Sequence, residues 1–179
     1  MVKVFKKVSE KYEINVMAVK ELVPDALVFD VTIDGAMKKL DPGFRWEGVK
    51  VPGRDKEKGL SLKGVYEGLK VFRSKKESDE KWWKEERYLG KERNCKSYGK
   101  LMGFDIGKES VGVEKGKEIF EMMYREEVEK RFGNIIETFI NCERPVVLLD
   151  YMDGDERKII DHAKILKQIV EERTIQAAA

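Results

Sequence analysis

Cysteine and histidine are scarce in this sequence. Cys95, Cys142 and His162 are the whole supply in 179 residues. A structural zinc site takes four close Cys or His ligands, and a disulfide framework takes several cysteine pairs, so neither is available and no metal is expected. One Cys–Cys bond stays open, but two reduced, buried thiols are the expectation in a reducing compartment. Long apolar runs are missing too. Nothing approaches the roughly 18 consecutive apolar residues of a membrane helix, and Met1-Val2-Lys3-Val4-Phe5-Lys6-Lys7 has no signal-peptide core. The expected location is cytoplasmic, with no membrane partner. Charge of one sign is also lacking, since 36 Lys and Arg face 34 Asp and Glu for a net charge of +2. A nucleic-acid binder concentrates positive charge on one face, whereas Lys75-Lys76-Glu77-Ser78-Asp79-Glu80-Lys81 mixes the signs, so nucleic acid is not the favoured partner.

What is present is charge in quantity: Asp, Glu, Lys and Arg make up 39% of the chain. High Lys and Glu with few Gln is the composition of a heat-adapted protein with surface ion-pair networks. At 41% apolar residues, a chain of this length can bury roughly 70% of its unfolded surface without a staple. We expect one α+β domain over residues 1–179, with N-terminal strands and a small sheet packed against several helices.

Val2 to Val8 and Ile14 to Leu22 carry β-branched residues in rough alternation and predict strands. Ala26 to Ile33 is the clearest strand, stopped by Asp34-Gly35. Arg54 to Gly59, almost all charged residues or glycine, reads as a mobile loop or part of a site. A helix is expected from Ser61 as its cap, with Leu62, Val65, Leu69 and Phe72 as the buried stripe. Tyr66, Lys70, Lys63 and Glu67 lie along one flank of that stripe, while Gly64 and Gly68 on the other let a neighbour approach closely. Lys75 to Lys96 reads as a helix and loop in which Trp82 and Trp83 supply a core anchor and a surface cover. A longer helix is predicted from Lys115 to Phe132, stopped by Gly133, with a further helix over Asn134 to Asn141. Pro145 to Tyr151 predicts a strand ended by Asp153-Gly154-Asp155. Asp161 precedes a last helix to Arg173, and residues 174–179 read as a frayed, disordered tail.

Local motifs support few reactions. Gly103-Phe-Asp-Ile-Gly107-Lys108-Glu109 has three residues between its glycines and Glu109 after the lysine, which fails the phosphate-loop pattern. His162 shares a face with Leu166 and Ile169 and reads as a half-buried packing histidine without a triad partner. Asp150, Asp153 and Asp155 bracket a strand end, where turn chemistry and site chemistry both favour aspartate. Lys63, Glu67 and Lys70 are spaced as ordinary helical ion pairs.

Taken in order, four segments resemble the NADAR family, an ADP-ribose-associated N-glycosidase-like domain. Ser61-Leu62-Lys63-Gly64-Val65-Tyr66-Glu67-Gly68-Leu69-Lys70-Val71-Phe72 looks like its S-x-E-x-x-x-Q-x-x-K helix. Lys100-Leu101-Met102-Gly103 follows where that family has a lysine-leucine-glycine element. Met122-Met123-Tyr124 with Lys130-Arg131-Phe132-Gly133-Asn134 is similar to its next helix. Pro145 to Tyr151 with Asp153-Gly154-Asp155 is similar to its late strand and acidic turn. The resemblance spans residues 60–172 and implies an α+β fold, no cofactor, and a ribose-phosphate or ADP-ribose-type ligand whose N-glycosidic bond active members hydrolyse. It implies Glu67, Asp150 and Asp153 as catalytic groups, Lys63 and Lys70 facing phosphate, and Tyr66 and Tyr151 lining the site, with Tyr151 stacked on the base. The family glutamate, however, falls at Lys63 and its glutamine at Glu67. Either Glu67 has taken over the carboxylate role, or the pocket binds without catalysis. The alternative to both is a catalytically inactive protein-interaction module.

Overall fold

The computed structural model describes residues 1–155 and 158–178. The fold class is α+β, with six helices and three small sheets, and the chain divides into two compact units.

The first unit comprises Met1–Asp41 and the chain from Arg125 onward. Its sheet is built from β1 (Val2–Lys6), β2 (Leu27–Asp30) and β8 (Val146–Asp150), in the order β1-β8-β2 and parallel throughout. All five residues of β8 are buried, as befits the central strand of a parallel sheet. Val147 and Leu149 form a core cluster with Val19 and Ala26, flanked by Phe5, Val23 and Val28. Helix α6 (His162–Ala178) packs on β1 and β8.

Two expectations fail in this unit. Ile14 to Leu22 is not a strand but lies within helix α1 (Tyr12–Leu22). Its buried residues are Asn15 and Val19, one helical turn apart, while Ile14, Met17 and Leu22 are exposed. The apolar residues that suggested alternation therefore sit on the solvent side. Asn15 fixes the first turn: its Oδ1 accepts from Val8 N–H (2.8 Å) and Ser9 N–H (3.2 Å), and its Nδ2 donates to Ser9 O (2.7 Å) and Lys11 O (2.9 Å). Residues 174–178 are likewise not a frayed tail, because α6 continues to Ala178. The Thr174 hydroxyl donates to Val170 O at 2.7 Å, and Arg173 pairs with Glu137 at 3.1 Å. Ala179 lies outside the described residues.

The second unit is Pro42–Tyr124. Strands β3 (Val49–Val51) and β4 (Arg54–Gly59) form an antiparallel hairpin, so Arg54 to Gly59 is a paired strand and not a loop. Its Glu57 accepts from the Trp83 indole N–H at 3.1 Å. A second sheet pairs β5 (Lys70–Phe72), β6 (Leu101–Ile106) and β7 (Glu109–Val111) antiparallel, in that order. Helix α2 (Leu62–Leu69) ends one turn earlier than its apolar stripe, because Lys70 turns extended and pairs with Phe104.

Two short helices, α3 (Lys81–Lys84) and α4 (Cys95–Tyr98), make up the regular α-structure of the charged stretch. Trp82 and Trp83 are both buried there, Trp83 completely. The cover expected on the surface is thus part of the core, with Trp82 stacked 4.7 Å from Tyr88. Helix α5 (Val113–Ile140) belongs to the second unit through Tyr124 and to the first beyond it. Its geometry breaks at Phe132 (φ −126°, ψ 26°), beside the expected stop at Gly133, and the helix then resumes. Cys95 is exposed and Cys142 half-buried, both free, so the expectation of two buried thiols fails. No helix among the described residues is long and apolar enough to cross a membrane.

Candidate functional site

Helix α2 starts where Ser61 accepts the Gly64 N–H at 3.0 Å, and all eight of its residues are buried, Lys63 and Glu67 included. Ionisable groups in such a setting need partners, because an unpaired buried charge is very costly. Glu67 has them. Lys70 Nζ donates to both of its carboxylate oxygens at 2.7 Å, and the backbone N–H of Arg93 donates to Oε2 at 2.7 Å. Lys70 also lies 5.0 Å from the centre of the Tyr66 ring. Tyr66 packs against Phe104 and edge-on to Phe120, each 4.9 Å away. Burial first, then the charges of Glu67 and Glu114, push its phenol up to about 12.

Arg93 closes the far end of α2. Its Nη1 donates to the carbonyls of Glu67 (3.2 Å), Gly68 (3.1 Å) and Lys70 (2.9 Å), satisfying acceptors that a helix C-terminus leaves open. The guanidinium lies 5.2 Å from the ring centres of both Phe72 and Tyr98. Only 2% of Arg93 is exposed. Burial lowers its pKa against the opposing pull of Asp79, Tyr98 and Glu67.

A second polar cluster occupies the carboxyl edge of the parallel sheet in the first unit. Lys7, just after β1, pairs with Asp30 at 2.7 Å and donates to the Thr32 hydroxyl at 2.9 Å. Asp30, ending β2, accepts the Thr32 hydroxyl (2.7 Å) and backbone N–H (3.0 Å). Asp150, ending β8, accepts Tyr151 N–H at 2.9 Å and Lys158 Nζ at 2.5 Å. Burial pulls the Lys158 pKa down, but hydrogen bonds to Asp150 and Asp161 outweigh it and raise the group. The bond to Lys158 in turn lowers Asp161. Tyr151 donates to Asp41 Oδ2 at 2.7 Å, accepts Ile33 N–H at 3.1 Å, and meets the His162 ring edge-on at 5.9 Å. His162 is fully buried, more than its sequence suggested, with Nε2 3.2 Å from Val31 O.

The residues singled out from sequence therefore divide between the units. Lys63, Tyr66, Glu67 and Lys70 share α2 and its end in the second unit. Asp150, Tyr151 and Asp153 lie in the first, where Asp153 is an exposed partner of Lys6. Sequence reasoning missed Arg93, which sits in the alternating-charge stretch with no periodicity to mark it. It also missed Lys7, Asp30, Thr32 and Asp41. Of these, Asp30 had a signal, because it ends the clearest strand, and strand ends in parallel sheets are where ligands collect. Among the described residues no group of three or more His, Cys, Asp or Glu is placed to hold a metal ion.

The sequence pattern of DUF6939, a family of unknown function, matches residues 11–166. No curated protein matches the chain.

Proposed function

This chain belongs to DUF6939, a family of unknown function, and from the ordered resemblance of residues 60–172 to the NADAR family we propose that it binds a small ribose-phosphate or ADP-ribose-type molecule, without hydrolysing it through Glu67. One observation carries the choice of binding over turnover: the Glu67 carboxylate is buried and held on both oxygens by Lys70, with Arg93 N–H on one of them. Cleaving a C–N bond at an anomeric carbon passes through an oxocarbenium-like state, which needs a carboxylate able to face that carbon or a water. Glu67 instead joins β5 and the Arg93 segment to α2. The Arg93 guanidinium beside it has donors without a partner and suits phosphate oxygens, which favour charge-assisted hydrogen bonds.

The rival reading, a non-enzymatic binding or interaction module, rests on Lys63 in place of the family glutamate and on the charged stretch from Lys75 to Lys96. Its paired tryptophans add no partner surface, because Trp82 and Trp83 are buried. Within the proposal the chain works in the cytoplasm of a heat-adapted cell, in keeping with its Lys- and Glu-rich composition.

Calorimetric titration with ADP-ribose and ribose 5-phosphate, beside mass spectrometry of the same mixtures plus ADP-ribosylated guanine and NAD, tests the reading. Saturable binding without release of a free base is expected. Base release that disappears in a folded Glu67→Gln variant would show a working glycosidase and overturn the binding-only reading. No binding to any member would remove the ligand class.

A further inference from the structure

The geometry points to Arg93 as an oxyanion subsite: the Nε–Nη2 edge of its guanidinium takes two oxygens of a phosphate or carboxylate on a small ligand. This rests on the proposed ligand class only for the identity of the molecule, not for the existence of the subsite.

All three carbonyl bonds of Arg93 come from Nη1, which has two N–H groups to share among them. A lysine ammonium has three donors and could serve those carbonyls, so capping α2 does not require a guanidinium. What a guanidinium adds is a planar edge on which Nε–H and an Nη2–H point the same way, matched to two oxygens of one anion. In this protein that edge is buried and has no hydrogen-bond partner at either nitrogen.

Neither neighbouring carboxylate fills it. The Glu67 carboxylate is bonded to Lys70 and to the Arg93 backbone N–H, not to the guanidinium. Asp79 Oδ2 is taken by Lys75 at 3.2 Å and Oδ1 by Lys81 N–H at 3.3 Å. The Glu67 and Asp79 carboxylates are thus close enough to attract the guanidinium, yet each is hydrogen-bonded elsewhere and neither bonds its Nε–Nη2 edge. Phe72 and Tyr98, themselves 5.3 Å apart, both lie beside the guanidinium with ring centres 5.2 Å from it, so cation–π contact but no hydrogen bond comes from that side. On this proposal a ligand reaches the edge past the exposed turn that follows Arg93 in the chain. Asn94, Cys95, Lys96 and Ser97 are exposed, and α4 is a single turn capped by Asn94 on Ser97 N–H.

The test uses the full chain labelled with ¹⁵N and follows the Arg93 Nε–H resonance during titration with inorganic phosphate, ribose 5-phosphate and acetate. A saturable shift of that resonance is expected, with slower hydrogen exchange at residues 94–99. Calorimetry on a folded Arg93→Lys variant, which keeps the charge and loses the fork, should show affinity weakened about tenfold or more. A shift with phosphates alone, or with acetate alone, supports the subsite and names the anion. An unmoved resonance with all three probes overturns it even if Arg93→Lys fails to fold, as does equal affinity in a folded Arg93→Lys. If ADP-ribose binds while the Arg93 resonance stays still, the subsite falls and the ligand reading stands. If phosphate moves it and ADP-ribose does not bind, the reverse holds.

Discussion

Glu67 joins three parts of the second unit through one carboxylate, so its removal should be felt first as stability. Glu67→Ala leaves the Lys70 ammonium with only the long 3.5 Å bond to Arg93 O and takes the acceptor from the Arg93 N–H. We expect a loss of roughly 3–5 kcal/mol, the usual cost of breaking a buried pair from one side, measured by urea denaturation. A loss below about 1 kcal/mol would show that Glu67 is not the clamp its bonds suggest. Tyr66 gives a second test at this scale. Its folded-state pKa of about 12 exceeds the ordinary 10.0, so between those values the unfolded chain releases a proton the folded one keeps. The stabilisation is complete below pH 10 and is lost as pH rises toward 12, amounting to roughly 3 kcal/mol at most. Tyr66→Phe should flatten that part of the stability–pH curve, and an unchanged slope would place the effect elsewhere.

At the scale of the element, two helical glycines answer the same substitution with opposite signs. A Cβ on Gly68 would lie 2.2 Å from Trp83 Cε3, 2.6 Å from Cζ3 and 2.9 Å from Asp79 O. The Trp83 ring is fully buried, and neither it nor a backbone carbonyl has room to move. Gly68→Ala is expected to destabilise by about 1–3 kcal/mol despite alanine's better helix propensity, because overpacking outweighs it. Gly133 in α5 meets nothing within 4 Å of an added Cβ, and Gly133→Ala should stabilise by about 0.5–1 kcal/mol. Paired melting curves decide both. The Gly64/Gly68 face was legible beforehand as a place of close approach, but the indole that fills it lies across a chain reversal that no periodicity reports.

For the whole molecule, the distinguishing trait is dense charge with almost no net value. Many of its ion pairs are exposed, such as Lys115–Glu118 and Arg45–Glu47, and solvent screening leaves such pairs little weight in stability. Heat adaptation predicts a melting temperature above roughly 70 °C, clear of the mesophile range. Scanning calorimetry in low salt and in 1 M NaCl checks this, with a fall of only a few degrees expected as screening shortens to about 3 Å. Melting near 50 °C would mean that the composition does not reflect habitat.

The sequence by itself determined the elements whose signal is local. Pro145 to Asp150 had to be a buried strand because an unbroken apolar run suits nothing else in a chain with so much charge. Ser61 started α2 because its hydroxyl can take the free N–H of Gly64, and the charge balance was fixed by composition. Only the tertiary structure decided α1, where the buried Asn15 and not the exposed Ile14, Met17 and Leu22 sets the packing. It also decided that Arg54 to Gly59 pairs as a strand, since ladder bonds come from a partner and not from side chains. Arg93 belongs wholly to it. Nothing near residue 93 in the sequence says that this arginine, among so many, lies beside two aromatic rings with one edge of its guanidinium unanswered, because burial and pairing are properties of what surrounds a residue.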